Sequence, residues 1–300
     1  MNELLGRWTG KQEIREIREM EKLVSRIGLV IPTLGTRPAW LRGTLESIVN
    51  QDGVDVDLIV VTPHPERVQS LAAAYGARIL DSQTPGISAA VNEGWHELRD
   101  SEYLAWLGDD DLLAPYSLGR SVRALEDHPL CSATYGRVRY IDAESETLFV
   151  TRPGRIASAY LPWGKDLVPQ PGSVFRRSAV EQVGGLDPTL RYAMDYDLFL
   201  KLRKVGRLEY VPSEVAAFRL HDGSITGSNR SRVEADEVRA RAHSPQMNRR
   251  RLVFDPVWSF LDRALYKLLQ RSKGVVPTVD GREYVCDLTD SFHDGTGPAS

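Results

Sequence analysis

Ile27-Gly28-Leu29-Val30-Ile31-Pro32-Thr33 is followed, from Pro38 to Asn50, by a stretch whose Leu41, Leu45, Ile48 and Val49 share one helical face. A branched apolar run closed by proline reads as a strand buried on both sides, and an apolar stripe with a period near 3.6 reads as a helix packed against it. The unit recurs. Leu58–Val61, Ala77–Leu80 and Tyr103–Leu107 read as strands, with helices at Glu66–Tyr75 and Ile87–Leu98 between them. Such alternation builds a mostly parallel sheet with helices on its faces, so the expected class is α/β. In open sheets of this kind the loops at the carboxyl ends of the strands converge on one crevice. The segments after Ile31, Val61, Leu80 and Leu107 are therefore where a site is expected.

The second half is less regular. Residues 153–171 are rich in Pro and Gly and read as a loop over the site, Gly172–Arg177 as a returning strand, Asp197–Val205 as a helix, and Arg207–Val211 and Ala216–Leu220 as two strands. The expected organisation is a charged helix over 1–26, an α/β domain over 27–230, a helical extension over 231–288 and a Gly/Ser/Asp tail over 289–300. Across 300 residues, 42% are hydrophobic and 26% charged, the balance of a chain with a core. A net charge of -3 supplies no broad positive field, which sets nucleic-acid binding aside. Residues 1–26 interleave Arg, Lys and Glu without the apolar core of a secretion signal, and no stretch reaches the ~18 apolar residues of a membrane span. A cytoplasmic protein is expected. Cys131 and Cys286 belong to no metal-type cluster and are expected as reduced thiols.

The densest chemistry is Trp106-Leu107-Gly108-Asp109-Asp110-Asp111, three acids directly after a buried strand. Adjacent carboxylates raise one another's pKa, and a divalent cation relieves the conflict; hard oxygen ligands suit Mg²⁺ or Mn²⁺, commonly shared with substrate phosphates. A solvated acidic turn before the helix near Pro115 is the plain alternative.

Further blocks occur in a characteristic order: Ile31-Pro32-Thr33; Gly86-Ile87-Ser88-Ala89-Ala90-Val91-Asn92-Glu93-Gly94; Leu107 to Asp111; Val183-Gly184-Gly185-Leu186-Asp187; Met194-Asp195-Tyr196-Asp197-Leu198; and Arg219-Leu220-His221-Asp222-Gly223-Ser224. In that order the chain resembles the family 2 glycosyltransferases of GT-A fold, over roughly residues 27–230. The resemblance implies an inverting transfer of a sugar from a nucleoside-diphosphate carrier to an acceptor hydroxyl. It implies Asp110 as the metal-holding acid of the DXD motif, Asp109 at that motif's middle position, and His221 as a further metal ligand. Asp195 matches the general base, which must reach the acceptor hydroxyl. Pro32, Thr33, Thr62, Ser88 and Asn92 are implied as donor contacts. Arg37 suits phosphate because its planar fork matches phosphate oxygens. Mn²⁺ or Mg²⁺ is the implied cofactor, and a saccharide or lipid-linked hydroxyl the acceptor.

Three departures stand out. Val61-Thr62-Pro63 replaces the acids that read the base, which leaves the base unassigned: the resemblance implies UDP as the default donor nucleotide, with dTDP and GDP open. Gly108 replaces the first acid of DXD, and Met194 the Glu before the base. Two other functions compete: a sugar nucleotidylyltransferase, because Leu34-Gly35-Thr36-Arg37 echoes a phosphate loop, and a binding module without turnover. Finally, Arg249-Arg250-Arg251 precedes an expected helix from Pro256 to Ser272 whose Trp258, Leu261, Leu265 and Leu268 share a face edged by Arg263, Lys267 and Arg271. Such a helix can lie on an anionic membrane or pack on a domain or second subunit.

Overall fold

A computed structural model describes residues 25–162 and 167–221 in full, and the backbone of 275–277 and 283–285. Chain order gives strand β1 (Arg26–Pro32), helix α1 (Pro38–Val49), β2 (Asp55–Thr62), α2 (Pro65–Ala74), β3 (Arg78–Asp81), α3 (Ile87–Glu97) and β4 (Tyr103–Trp106). Then follow β5 (Leu112–Leu113), α4 (Ser117–Asp127), β6 (Cys131–Ile141), β7 (Thr147–Val150), α5 (Ile156–Tyr160), β8 (Val174–Arg176), α6 (Arg177–Val183), α7 (Met194–Val205) and β9 (Arg207–Arg219). Among the described residues these nine strands form one sheet in the order β3-β2-β1-β4-β8-β6-β9-β5, with β7 beside β6. β3, β2, β1 and β4 are mutually parallel, as the repeated strand–helix units require. β8 runs antiparallel between β4 and β6, and β9 is parallel to β6.

The period-2 geometry of the strands distributes their residues between two cores. Ile27, Leu29 and Ile31, with Leu58, Val60, Tyr103 and Ala105, face α1, α2 and α4. Val30, Ile59, Val61, Leu104 and Trp106 face α3 and α7 through Val91, Trp95, Tyr196 and Phe199. Gly94 lets α3 come close: a Cβ there would lie 2.7 Å from Val30 Cγ2 and 3.1 Å from Val61 Cγ2. Trp106, the last residue of β4, stacks on Phe175 at 5.2 Å between ring centres, and Trp95 Nε1–H donates to Ala105 O at 3.0 Å. The segment that follows Trp106 thus starts from a rigid aromatic base.

Three expectations need correction. Val49, placed on the apolar face of α1, is 49% exposed; that face is completed instead by Thr44, whose hydroxyl donates to Asp111 O at 2.8 Å. Arg207–Val211 and Ala216–Leu220 are not separate strands: β9 runs through, and Pro212, which has no N–H to give a ladder, falls where the β6–β9 register shifts. Val275–Pro277 pairs antiparallel with Glu283–Val285 inside the stretch expected to be helical, as suits its β-branched valines. The helices expected over 1–26 and Pro256–Ser272 lie outside the described residues, as do Asp222 to Ser224 and the tail.

Candidate functional site

The acidic turn after β4 is clamped from two sides. From α1 and the turn just after it, Thr44 holds Asp111 O, Ser47 Oγ accepts Leu113 N–H at 3.0 Å, and Gln51 Nε2 donates to Ala114 O at 3.0 Å. From the other side, β5 pairs with β9 and Asp111 Oδ1 accepts Arg219 N–H at 3.0 Å. Arg219 is itself buried, donating through Nε to Asp110 O and through Nη1 to Asp142 O, Ala143 O and Ser145 Oγ. Gly108 leaves room at the start of the turn: a Cβ there would stand 2.8 Å from Asp110 Oδ1 and 2.9 Å from Asp111 Oδ2.

The three acids therefore differ. Asp111 is fully inside, and burial, followed by the charge of Asp110, pushes its pKa well above the ordinary carboxylate value. Asp109 is also raised by burial, opposed by the Thr33 hydroxyl and the Arg37 guanidinium. Asp110 is the least buried of the three, with its side chain 15% exposed.

Five residues named from sequence meet here. Thr33 Oγ1 donates to Asp109 Oδ2 at 2.5 Å and accepts Gly35 N–H at 2.9 Å. Arg37 spans the acids, with Nη2 2.8 Å from Asp109 Oδ1 and Nη1 3.0 Å from Asp110 Oδ2. His221, just past β9, brings Nε2 to 2.8 Å from Asp110 Oδ2 and 2.6 Å from Arg37 Nη1. Trp40 supports the group: its ring lies 4.9 Å from that of His221, with the Arg37 and Arg219 guanidinium carbons 5.3 Å and 5.1 Å away.

The Arg37–Asp110–His221 triangle decides what the site can hold. A guanidinium nitrogen only donates, so His221 Nε2 can accept from Arg37 or donate to Asp110, not both. One edge of the triangle has no proton to share. A cation seated against both Oδ2 and Nε2 resolves this. Ligands about 2.1 Å from an octahedral ion lie about 3 Å apart when adjacent, close to the 2.8 Å between these two atoms. Asp110 and His221 could supply two ligands to a divalent ion, and among the described residues no group of three or more His, Cys, Asp or Glu gathers to complete the set.

The other residues named from sequence lie on β1, β2, α3 and α7. Pro32 ends β1 beside Thr33. Thr62 is buried and its hydroxyl accepts His64 N–H at 3.1 Å, which secures the turn into α2. Ser88 donates to Leu190 O and Met194 Sδ. Asn92 exchanges two hydrogen bonds with the backbone of Leu186, at 2.8 and 3.0 Å. Their polar groups are used by the protein itself, fastening α3 to the segment leading into α7. Asp195 stands in the first turn of α7, half-buried, with Oδ1 accepting Tyr196 N–H at 2.9 Å. Burial raises its pKa, and backbone N–H groups oppose the rise. Trp40, Thr44, Ser47, Gln51 and Arg219 were not legible as site residues. The spacing of Thr44, Ser47 and Gln51 at i, i+3 and i+7 was the available signal, a polar stripe beside the apolar one.

A family model described as Glycosyl transferase family 2 matches residues 29–184. An uncharacterized glycosyltransferase of Rickettsia typhi is 22% identical over 222 residues, covering 71% of this chain and 69% of the relative. The O-antigen biosynthesis protein RfbC of Myxococcus xanthus is 28% identical over 215 residues, covering 65% of this chain and 16% of that protein. Among solved structures, the mannosyltransferase PcManGT from Pyrobaculum calidifontis, in complex with GDP-Man and Mn²⁺, is similar with a TM-score of 0.57 at 19% identity. That similarity covers 74% of this chain and 65% of the mannosyltransferase. S. aureus TarS 1-349 in complex with UDP-GlcNAc gives a TM-score of 0.52 at 12% identity, covering 68% and 61%. At these identities the solved structures speak for the fold. No helix among the described residues is long and apolar enough to cross a membrane.

Proposed function

This chain belongs to glycosyl transferase family 2 and has the GT-A fold, and from that premise we propose an inverting, metal-assisted transfer of sugar from a nucleoside-diphosphate donor to an acceptor hydroxyl. The observation that carries the proposal is the convergence of Asp110 and His221. They arrive from opposite halves of the sheet and present two ligand atoms to one point beyond the carboxyl end of β4. A divalent ion held there would offset the charge that develops on the departing diphosphate. Thr33 fixes Asp109 beside that point, and Arg37 has the donor fork for phosphate. Asp195 takes the proton of the acceptor hydroxyl on the other side of the sugar. Its raised pKa suits this, because a base is most effective when its pKa approaches the working pH.

The donor base is proposed as uracil by default, with thymine and guanine as alternatives, and the acceptor as a saccharide or lipid-linked hydroxyl. Thermal melts with Mn²⁺ and UDP, dTDP and GDP sugars test the proposal, since a ligand of the native state raises its apparent stability. One sugar nucleotide is expected to raise Tm in the wild type. Asp110→Asn should lose that shift. Asp195→Asn should keep it while transfer falls by about 10²–10⁴-fold. An Asp195→Asn variant that turns over normally removes Asp195 from the chemistry, and a wild type that binds donor without transfer or donor hydrolysis reduces the chain to a binding module.

A further inference from the structure

Arg37 lies against both atoms that Asp110 and His221 would offer to a metal ion. Its Nη1 lies 3.0 Å from Asp110 Oδ2 and 2.6 Å from His221 Nε2, and its Nη2 lies 2.8 Å from Asp109 Oδ1. An ion bound about 2.1 Å from those same two ligand atoms, on the side that Nη1 takes, would fall against Nη1, so the two cations compete for that side of the Oδ2–Nε2 pair. The neighbouring cation is fixed: Arg219 is buried under its hydrogen bonds to Asp110 O, Asp142 O, Ala143 O and Ser145 Oγ. Arg37 is not fixed in this way. Its side chain is 33% exposed, against 8% for Asp109, 15% for Asp110 and 9% for His221, and part of its grip is the triangle edge that lacks a proton.

We infer that Arg37 is a resident counter-cation that fills the metal position of the donor-free protein and hands it over when ion and diphosphate arrive together. This rests on the proposed metal-assisted transfer. Before loading, the guanidinium neutralises Asp109 and Asp110, which otherwise repel each other across the turn. On loading, the ion takes Oδ2 and Nε2, and the released fork gains the diphosphate as its new anionic partner. Mn²⁺ alone must evict Arg37 with no such compensation. Metal and donor are thereby coupled, and linkage makes the coupling reciprocal.

The test is Mn²⁺ binding without nucleotide, read from the loss of the free-ion electron paramagnetic resonance signal, on the full chain and on Arg37→Gln, Arg37→Lys and Asp110→Asn. Arg37→Gln is expected to bind Mn²⁺ at least about tenfold more tightly than the wild type, as removal of one charge-paired competitor implies. Arg37→Lys should fall between, because an ammonium cannot span both acids. The gain in Mn²⁺ affinity on adding UDP, GDP or dTDP should be smaller in Arg37→Gln than in the wild type. Melting curves establish that each variant folds, and Arg37→Lys carries the test if Arg37→Gln does not. If Arg37→Gln or Arg37→Lys binds Mn²⁺ no better than the wild type while Asp110→Asn abolishes binding, the exchange is overturned and the metal site stands. If Mn²⁺ binding is indifferent to Asp110→Asn, or absent in every variant with and without nucleotide, both fall.

Discussion

Asp109, Asp110 and Asp111 are adjacent in sequence, yet the turn gives each a different set of partners: Thr33 and Arg37 for Asp109, Arg37 and His221 for Asp110, and the backbone of Arg219 for Asp111. For Asp111 the native state binds its proton more readily than the unfolded chain does, because burial raises its pKa. Stability from this group therefore falls as pH rises from about 4, the unfolded value, through the raised native value. Asp111→Asn keeps an oxygen for Arg219 N–H and removes the charge. It should melt at the same temperature as the wild type or higher at pH 8, and show a shallower loss of Tm between pH 5 and 8. For Asp195 the sign acts on rate: the base must be deprotonated, so kcat/KM should rise with pH through a limb displaced above the ordinary carboxylate range. A pH–rate profile checks this, and the residual rate of Asp195→Asn should lack that limb. Asp110 and Asp195 could be singled out from motif order. That Asp111 is structural could not, since it depends on a partner 108 residues away.

At the scale of elements, α3 is the piece most constrained by close approach. Gly94→Ala would press a methyl group into Val30 and Val61, and should lower the unfolding free energy by about 1–3 kcal/mol in urea titrations. Asn92, on the same helix, closes a two-way hydrogen bond with Leu186, and Gly185 makes room for it: a Cβ there would lie 2.7 Å from Asn92 Oδ1. Asn92→Ala leaves Leu186 N–H and C=O without these partners and should cost about 1–3 kcal/mol. If the amide served the donor instead, stability would hold and the donor-induced thermal shift would fall. The helix itself was readable from its apolar stripe, Val91 and Trp95 among it. The destination of its polar residues was not, because Leu186, Leu190 and Met194 lie about a hundred positions further along. β6 was hidden for a related reason. Ser132 and Thr134 break its apolar pattern, and their hydroxyls are satisfied by the carbonyls of Leu202 and Val174 only once the sheet exists.

Across the whole molecule, the site forms where the parallel β3-β2-β1-β4 half meets the β8-β6-β9-β5 half. Asp109 and Asp110 come from the first half, and Arg219 and His221 from the second, past the end of the segment that the family model matches. A chain ending at Gly206 would keep residues 29–184 but lose β9, the parallel partner of β6 over Cys131–Ile141. It should lose cooperative melting and aggregate, because β6 becomes a long unpaired edge; thermal circular dichroism with light scattering measures both effects. The amino-acid order alone determined the alternating strands and helices of the first half, the acidic turn at the end of β4 and the class of chemistry, because local period and motif order are written in neighbouring residues. Tertiary structure alone decided which of the three acids is least buried, that Arg37 lies against His221, and which partners Ser88, Asn92 and Thr62 take within the protein. Those outcomes depend on hydrogen bonds and burial between segments far apart in the chain, which exist only after the two halves of the sheet have closed on each other.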